Sequence, residues 1–245
     1  LNILYYFAAG FVIGGIGTFI GGLLSLLISK PNDRTVSCML NFAAGIMLSV
    51  ISFDLMPEAY EIGGFFIVTL GLAFGLLAVF AAEKMIPEHR LSRFKGKKLS
   101  YMRMSLIIMI SMSLHNFPEG IAVGSSAVYS ENLGLKISIL IAAHDIPEGM
   151  SVGIPLVMTG ASPLSVIFLT LLTGLPTAFG AVIGAALGGI SEYFIAFCLS
   201  AAASSMLYVS SSQLIPEAYI LNKGRSGSVF LLIGFICGCY LSYAV

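Results

Sequence analysis

His115-Asn116-Phe117-Pro118-Glu119-Gly120 and His144-Asp145-Ile146-Pro147-Glu148-Gly149 are near-copies of one six-residue stretch, set 29 residues apart inside two hydrophobic segments. In a helix each copy stacks its His and Glu on one face at i, i+4, with Asn116 or Asp145 beside the His. Ionisable side chains inside membrane helices are costly and mark an ion or substrate path. Three carboxylates and two imidazoles meet here with no Lys or Arg in either motif. The partner that neutralises such a set is a metal cation.

The surrounding chain is that of a membrane protein. Of its 245 residues 58% are hydrophobic and 10% charged, with mean hydropathy +0.98; a soluble domain carries about 25% charged residues. Zero net charge and the lack of a basic, aromatic-interleaved tract argue against nucleic acid as a partner. Cys38, Cys198, Cys237 and Cys239 lie in apolar segments without paired spacing and read as buried thiols. The first apolar segment lacks a basic leader and is too long for a signal-peptide core, so it reads as a retained helix.

The expected fold is all-α and polytopic. Crossing about 30 Å of hydrocarbon takes about 20 apolar residues. Eight runs qualify: 3–28, 36–56, 63–82, 104–127, 135–157, 164–188, 193–215 and 227–245. The whole chain, 1–245, reads as one transporter-like domain. Three helices (1–82) are followed by a basic loop (83–103), a central helix pair (104–157) and three more helices (164–245). Basic loops stay cytoplasmic. Placing 83–103 inside puts 11 of the 12 Lys and Arg residues inside and leaves only Lys136 outside, with both termini facing outward.

Internal repetition sharpens the expectation. Met47-Leu48-Ser49-Val50 leads to Leu55-Met56-Pro57-Glu58-Ala59-Tyr60; Met206-Leu207-Tyr208-Val209 leads to Leu214-Ile215-Pro216-Glu217-Ala218-Tyr219, 159 residues later. Both this pair of spans and the motif pair are separated by an odd number of crossings, so each pair should run antiparallel. A 3+2+3 inverted repeat follows, an arrangement that places a transporter's site at the midplane between repeats. Glycines at three- and four-residue spacing, Gly10, Gly14, Gly17 and Gly21 near the start, and at four-residue spacing, Gly180, Gly184 and Gly188 later, favour close helix contacts.

Imidazole with carboxylate suits Zn²⁺, Fe²⁺ or Mn²⁺, whereas Ca²⁺ and Mg²⁺ prefer oxygen alone. His115, Glu119, His144 and Glu148 suffice for a four-ligand site. Asn116 and Asp145, about 100° round their helices, offer a second one. The blander reading, a polar cluster gluing two helices together, fits one His better than a doubled motif. An intramembrane hydrolase would need an open coordination position and a general base; a passive channel would need weaker ligands, since ions must also leave.

These motifs, with the eight spans, are similar to those of the ZIP (Zrt/Irt-like) divalent-metal transporters, of bacterial type. The resemblance implies zinc, iron, manganese or cadmium as substrate, no enzymatic activity, an inner-membrane location and elevator-like alternating access; it leaves room for a homodimer. It implies a primary site at His115, Glu119, His144 and Glu148, a secondary one at Asn116 and Asp145, and an outer gate near Met47. Relatives complete the second site with a Glu where this chain has Thr177, which implies weaker binding there. The inner exit is sparsely marked, by Ser212, Gln213 and His89, and His89, among basic neighbours, reads as a solvated loop residue ahead of an exit ligand. Asp54 suggests a negative funnel that raises local cation concentration. Glu58 and Glu217 share that role with simple helix termination.

Overall fold

A computed structural model describes residues 2–28, 32–84, 96–129, 131–187 and 191–244. All regular structure among them is helical. That is the expected outcome for an apolar chain, because a helix satisfies its backbone polar groups internally where no water is available. In order these are α1 (Ile3–Leu27), α2 (Asp33–Val50), a π-helical segment (Ile51–Leu55), α3 (Met56–Lys84), α4 (Lys97–Tyr129), α5 (Glu131–Thr159), α6 (Pro163–Thr173), α7 (Leu175–Leu187), α8 (Glu192–Val209), a second π segment (Ser210–Leu214), α9 (Ile215–Leu221) and α10 (Ser226–Ala244). Helix starts are capped locally. Asn2, Asn32 and Ser162 accept hydrogen bonds from Tyr5, Thr35 and Ser165 backbone N–H groups.

Among the described residues seven helical segments are long and apolar enough to cross a membrane. One of them, Asp33–Ala81, has 49 residues, more than twice the length that a single crossing needs. It is broken at Gly64, whose φ of 64° is left-handed and whose ψ of 178° is far from helical. Only glycine adopts that conformation without strain. The expected span 36–56 ends before this break, and the expected span 63–82 begins at it. The expected span 164–188 is divided as well, into α6 and α7 at Gly174.

Packing sorts the helices into two groups. α1, α4, α5, α6 and α7 pack among themselves; α3 packs on α8, and α2 on α10. Between the groups the larger contacts are α4 with α8 and α2 with α5. The larger contacts recur in pairs, α3 on α8 with α10 on α2, and α4 on α7 with α5 on α1. The two π segments also coincide at the 159-residue offset. Cross-helix hydrogen bonds fix directions. Ser37 donates to the Ala218 carbonyl (2.7 Å) and Ser210 to the Met47 sulfur (3.6 Å), so α2 runs antiparallel to α8–α9.

Inside the first group the helices touch backbone to backbone. A Cβ on Gly21 would strike Ile146 and Gly149, and one on Gly120 the Thr177 main chain. Absent side chains thus replace interlocking ones, the arrangement favoured where lipid supplies no hydrophobic drive. The core (Leu40, Met47, Met112, Val152, Met206, Leu214 and neighbours) is buried, while Phe66, Leu70, Phe74 and Leu77 on α3 are exposed. All four cysteines are free thiols; Cys38 and Cys198 are buried, Cys237 is exposed and Cys239 half-buried.

Candidate metal centre

α4 and α5 lie antiparallel, and their motifs face each other. Pro118 and Pro147 sit inside helices that continue past them. His115 Nε2 is 3.0 Å from Glu148 Oε2 across the pair. In the reciprocal position His144 Nε2 is 3.4 Å from Glu119 Oε1, within ion-pair reach but without hydrogen-bond geometry. Asp145 Oδ1 stands 3.8 Å from the same nitrogen. Ligand atoms of Glu119, His144 and Asp145 all lie within 4.8 Å of one another. The structure therefore pairs His115 with Glu148 and groups Glu119 with His144 and Asp145, five of the six residues that the motif singles out, and none of the six is more than 1% exposed.

Asn116 occupies a different niche. Its amide donates to the Thr173 carbonyl at 2.8 Å, at the point where α6 gives way to α7. The amide oxygen is left without a partner. Thr177, one turn into α7, is fully buried with its hydroxyl also unpartnered. Gly14 makes room for it, since a Cβ there would meet the Thr177 side chain.

The accounting of polar atoms is lopsided. Buried polar groups nearly always find partners, and exceptions call for an explanation. Among the described residues the buried side-chain polar atoms without one belong to His115, Asn116, Glu119, His144, Asp145, Glu148, Ser111 and Thr177. Three carboxylates and two imidazoles facing each other, with most of their lone pairs unused, form a donor set suited to a divalent transition metal. Ser111, one turn before His115, is the member that motif reading misses; its i−4 spacing from His115 was the available signal.

The outlying candidates scatter. Met47 is buried beside Ser210 and in one core with Met112 and Met206. Asp54 lies in the first π segment and accepts a hydrogen bond from Ser242, while Glu58 is exposed. Ser212 is bonded to the Tyr208 carbonyl of its own helix. Gln213 lines a cavity with Arg103 and Glu217. His89 and Gly188 lie outside the described residues.

The family model for "ZIP Zinc transporter" matches residues 88–244. "Zinc transporter ZupT" of Escherichia coli O1:K1 is 34% identical over 237 residues, covering 93% of this chain and 90% of the relative. The chain belongs to the ZIP zinc transporter family. ZupT of Escherichia fergusonii is 33% identical over the same extent. The family is one of transporters, which sets aside the intramembrane hydrolase. A multi-pass membrane protein is what the apolar helices describe.

Proposed function

We propose that this chain carries a divalent transition metal, Zn²⁺ first among them, across the inner membrane into the cytoplasm by alternating access through the α4/α5 centre. The observation that carries this reading is the set of buried, unpartnered ligand atoms between α4 and α5. His115, Glu119, His144 and Glu148 hold the main ion. Asn116 and Asp145, with a neutral hydroxyl from Thr177, offer a weaker second position. Division of the long segment at Gly64 supports eight crossings, and the distribution of Lys and Arg supports both termini outside. The recurring helix contacts and the antiparallel pairs support an inverted repeat. The group of α1 and α4–α7 is then the moving body, and α2, α3 and α8–α10 the fixed one.

Burial of every ligand favours a carrier over an open channel, because an ion held this tightly leaves slowly unless the protein changes shape. Zn²⁺ uptake into proteoliposomes with an internal fluorescent indicator tests the reading. His144→Ala and Glu148→Ala should reduce uptake to background. Wild-type uptake by both variants would refute the centre as the route.

A further inference from the structure

The repeat supplies two mouths of one design. At the 159-residue offset Asp54 corresponds to Gln213 and Glu58 to Glu217, with each first member inside a π segment. Opposite ends of the molecule hold the two pairs. The Tyr101 hydroxyl donates to Asp33 (3.0 Å) and Ser37 to the Ala218 carbonyl, which gathers the starts of α2 and α4 with α9 at one end. Asp54 comes 21 residues after Asp33, about 30 Å along a helix.

The mouths differ in charge. Gln213 and Glu217 line a cavity of 580 Å³ with Ser100, Arg103, Met104 and Ile107. The Arg103 guanidinium lies near enough to act electrostatically on the Glu217 carboxylate. Among the residues lining the cavity one cation and one carboxylate cancel, and an amide stands where the repeat has an acid. Asp54 and Glu58 sum to two negative charges. No basic residue occurs between Arg34 and Lys84 or after Arg225, the stretches that meet where Ser242 bonds Asp54. The cavity also points along α4 toward the metal centre: Ile107 is one turn from buried Ser111, which is one turn from His115.

We propose that Arg103 and Gln213 make the α4-start end a release mouth of low cation affinity, opposed to a capture mouth at Asp54 and Glu58. This rests on the metal-transport reading above. A carboxylate pair in the cavity would detain a divalent ion on its way out; a neutral amide beside a carboxylate already offset by a guanidinium holds it weakly. Near-symmetric scaffolding is thereby given unequal affinities at its two faces.

The test is Cd²⁺ titration of purified protein in a His115→Ala/Glu148→Ala background, which removes two ligands of the central site. Glu119, His144 and Asp145 remain, so the Cd²⁺ bound by that background is the reference for every further change. R103Q/Q213D should bind one more Cd²⁺ per chain than the reference, and adding E217Q should abolish the gain. R103Q or Q213D alone should tighten binding by about tenfold, a size that one charge interaction readily supplies, while R103K should not. Q213D keeps Arg103 in place, so it remains informative should R103Q fold poorly. Unchanged Cd²⁺ binding in Q213D and in every folded R103Q variant overturns the proposal. Failure of the transport reading would appear separately, as wild-type protein that binds Cd²⁺ no better than the His115→Ala/Glu148→Ala background.

Discussion

His115→Ala tests the centre most sharply, because it removes one half of a buried pair. His115 and Glu148 are each 0% exposed and 3.0 Å apart, and the second Glu148 oxygen has no partner. Deleting the imidazole strands a carboxylate with no cation and leaves a ring-sized gap. Breaking a buried pair from one side costs about 3–5 kcal/mol. Glu148→Gln is the matched control: it keeps size and a hydrogen-bonding oxygen beside His115, so its cost without metal should be smaller. Metal affinity should nonetheless fall in both, by at least about 100-fold, the upper range seen when even indirect ligand supports are removed. Thermal unfolding in detergent with and without Zn²⁺, alongside calorimetric Cd²⁺ titration, reads the two effects separately. The reasoning fails if His115→Ala unfolds no earlier than Glu148→Gln in the absence of metal, or if either binds Cd²⁺ as tightly as wild type.

Gly17→Val should destabilise the protein by about 1–3 kcal/mol or more and slow uptake, since its Cβ would already meet the Ala142 carbonyl and the Asp145 side chain; melting and transport assays check both. Cysteine pairs joining α4 to α8, or α2 to α5, should arrest uptake while sparing Cd²⁺ binding, and full transport with both pairs locked would exclude relative motion of the two groups. A cysteine placed within 90–98 should react with a membrane-impermeant reagent only from the cytoplasmic face, which labelling of intact cells measures. Thr177→Glu should raise the bound Cd²⁺ by one ion per chain, because it adds a carboxylate beside Asn116 and Asp145; mass spectrometry of the purified protein counts it.

The chemistry was more legible than the architecture. Charged residues in an apolar chain stand out at once, and the doubled motif marks the five titratable residues that the structure gathers between α4 and α5. Periodicity is a weaker guide here. A helix in lipid is apolar on every side, so α8, largely buried, and α10, largely exposed, read alike. The sequence has 27 glycines, and nothing local distinguishes Gly64, Gly96 and Gly160, the three among the described residues that take a positive φ. The π segments were invisible because a widened turn changes the hydrogen-bond register, not the residue types. Thr177 drew notice only by comparison with relatives, and Ser111 not at all, since a serine in a membrane helix usually bonds its own backbone, as Ser113 and Ser125 do.

A widened turn also has a consequence for sequence length. A π segment is an α-helix that has absorbed one extra residue locally. Shortening the chain by one residue within 51–55 or 210–214 would close the bulge and leave both flanking helices on their present faces. The same deletion elsewhere in α2 or α8 would turn everything beyond it by about 100°, carrying Met47 or Met206 away from the core. Deletion tolerance along these two helices should therefore be confined to two windows of five residues each. At all other points in them the chain's length is as constrained as its chemistry.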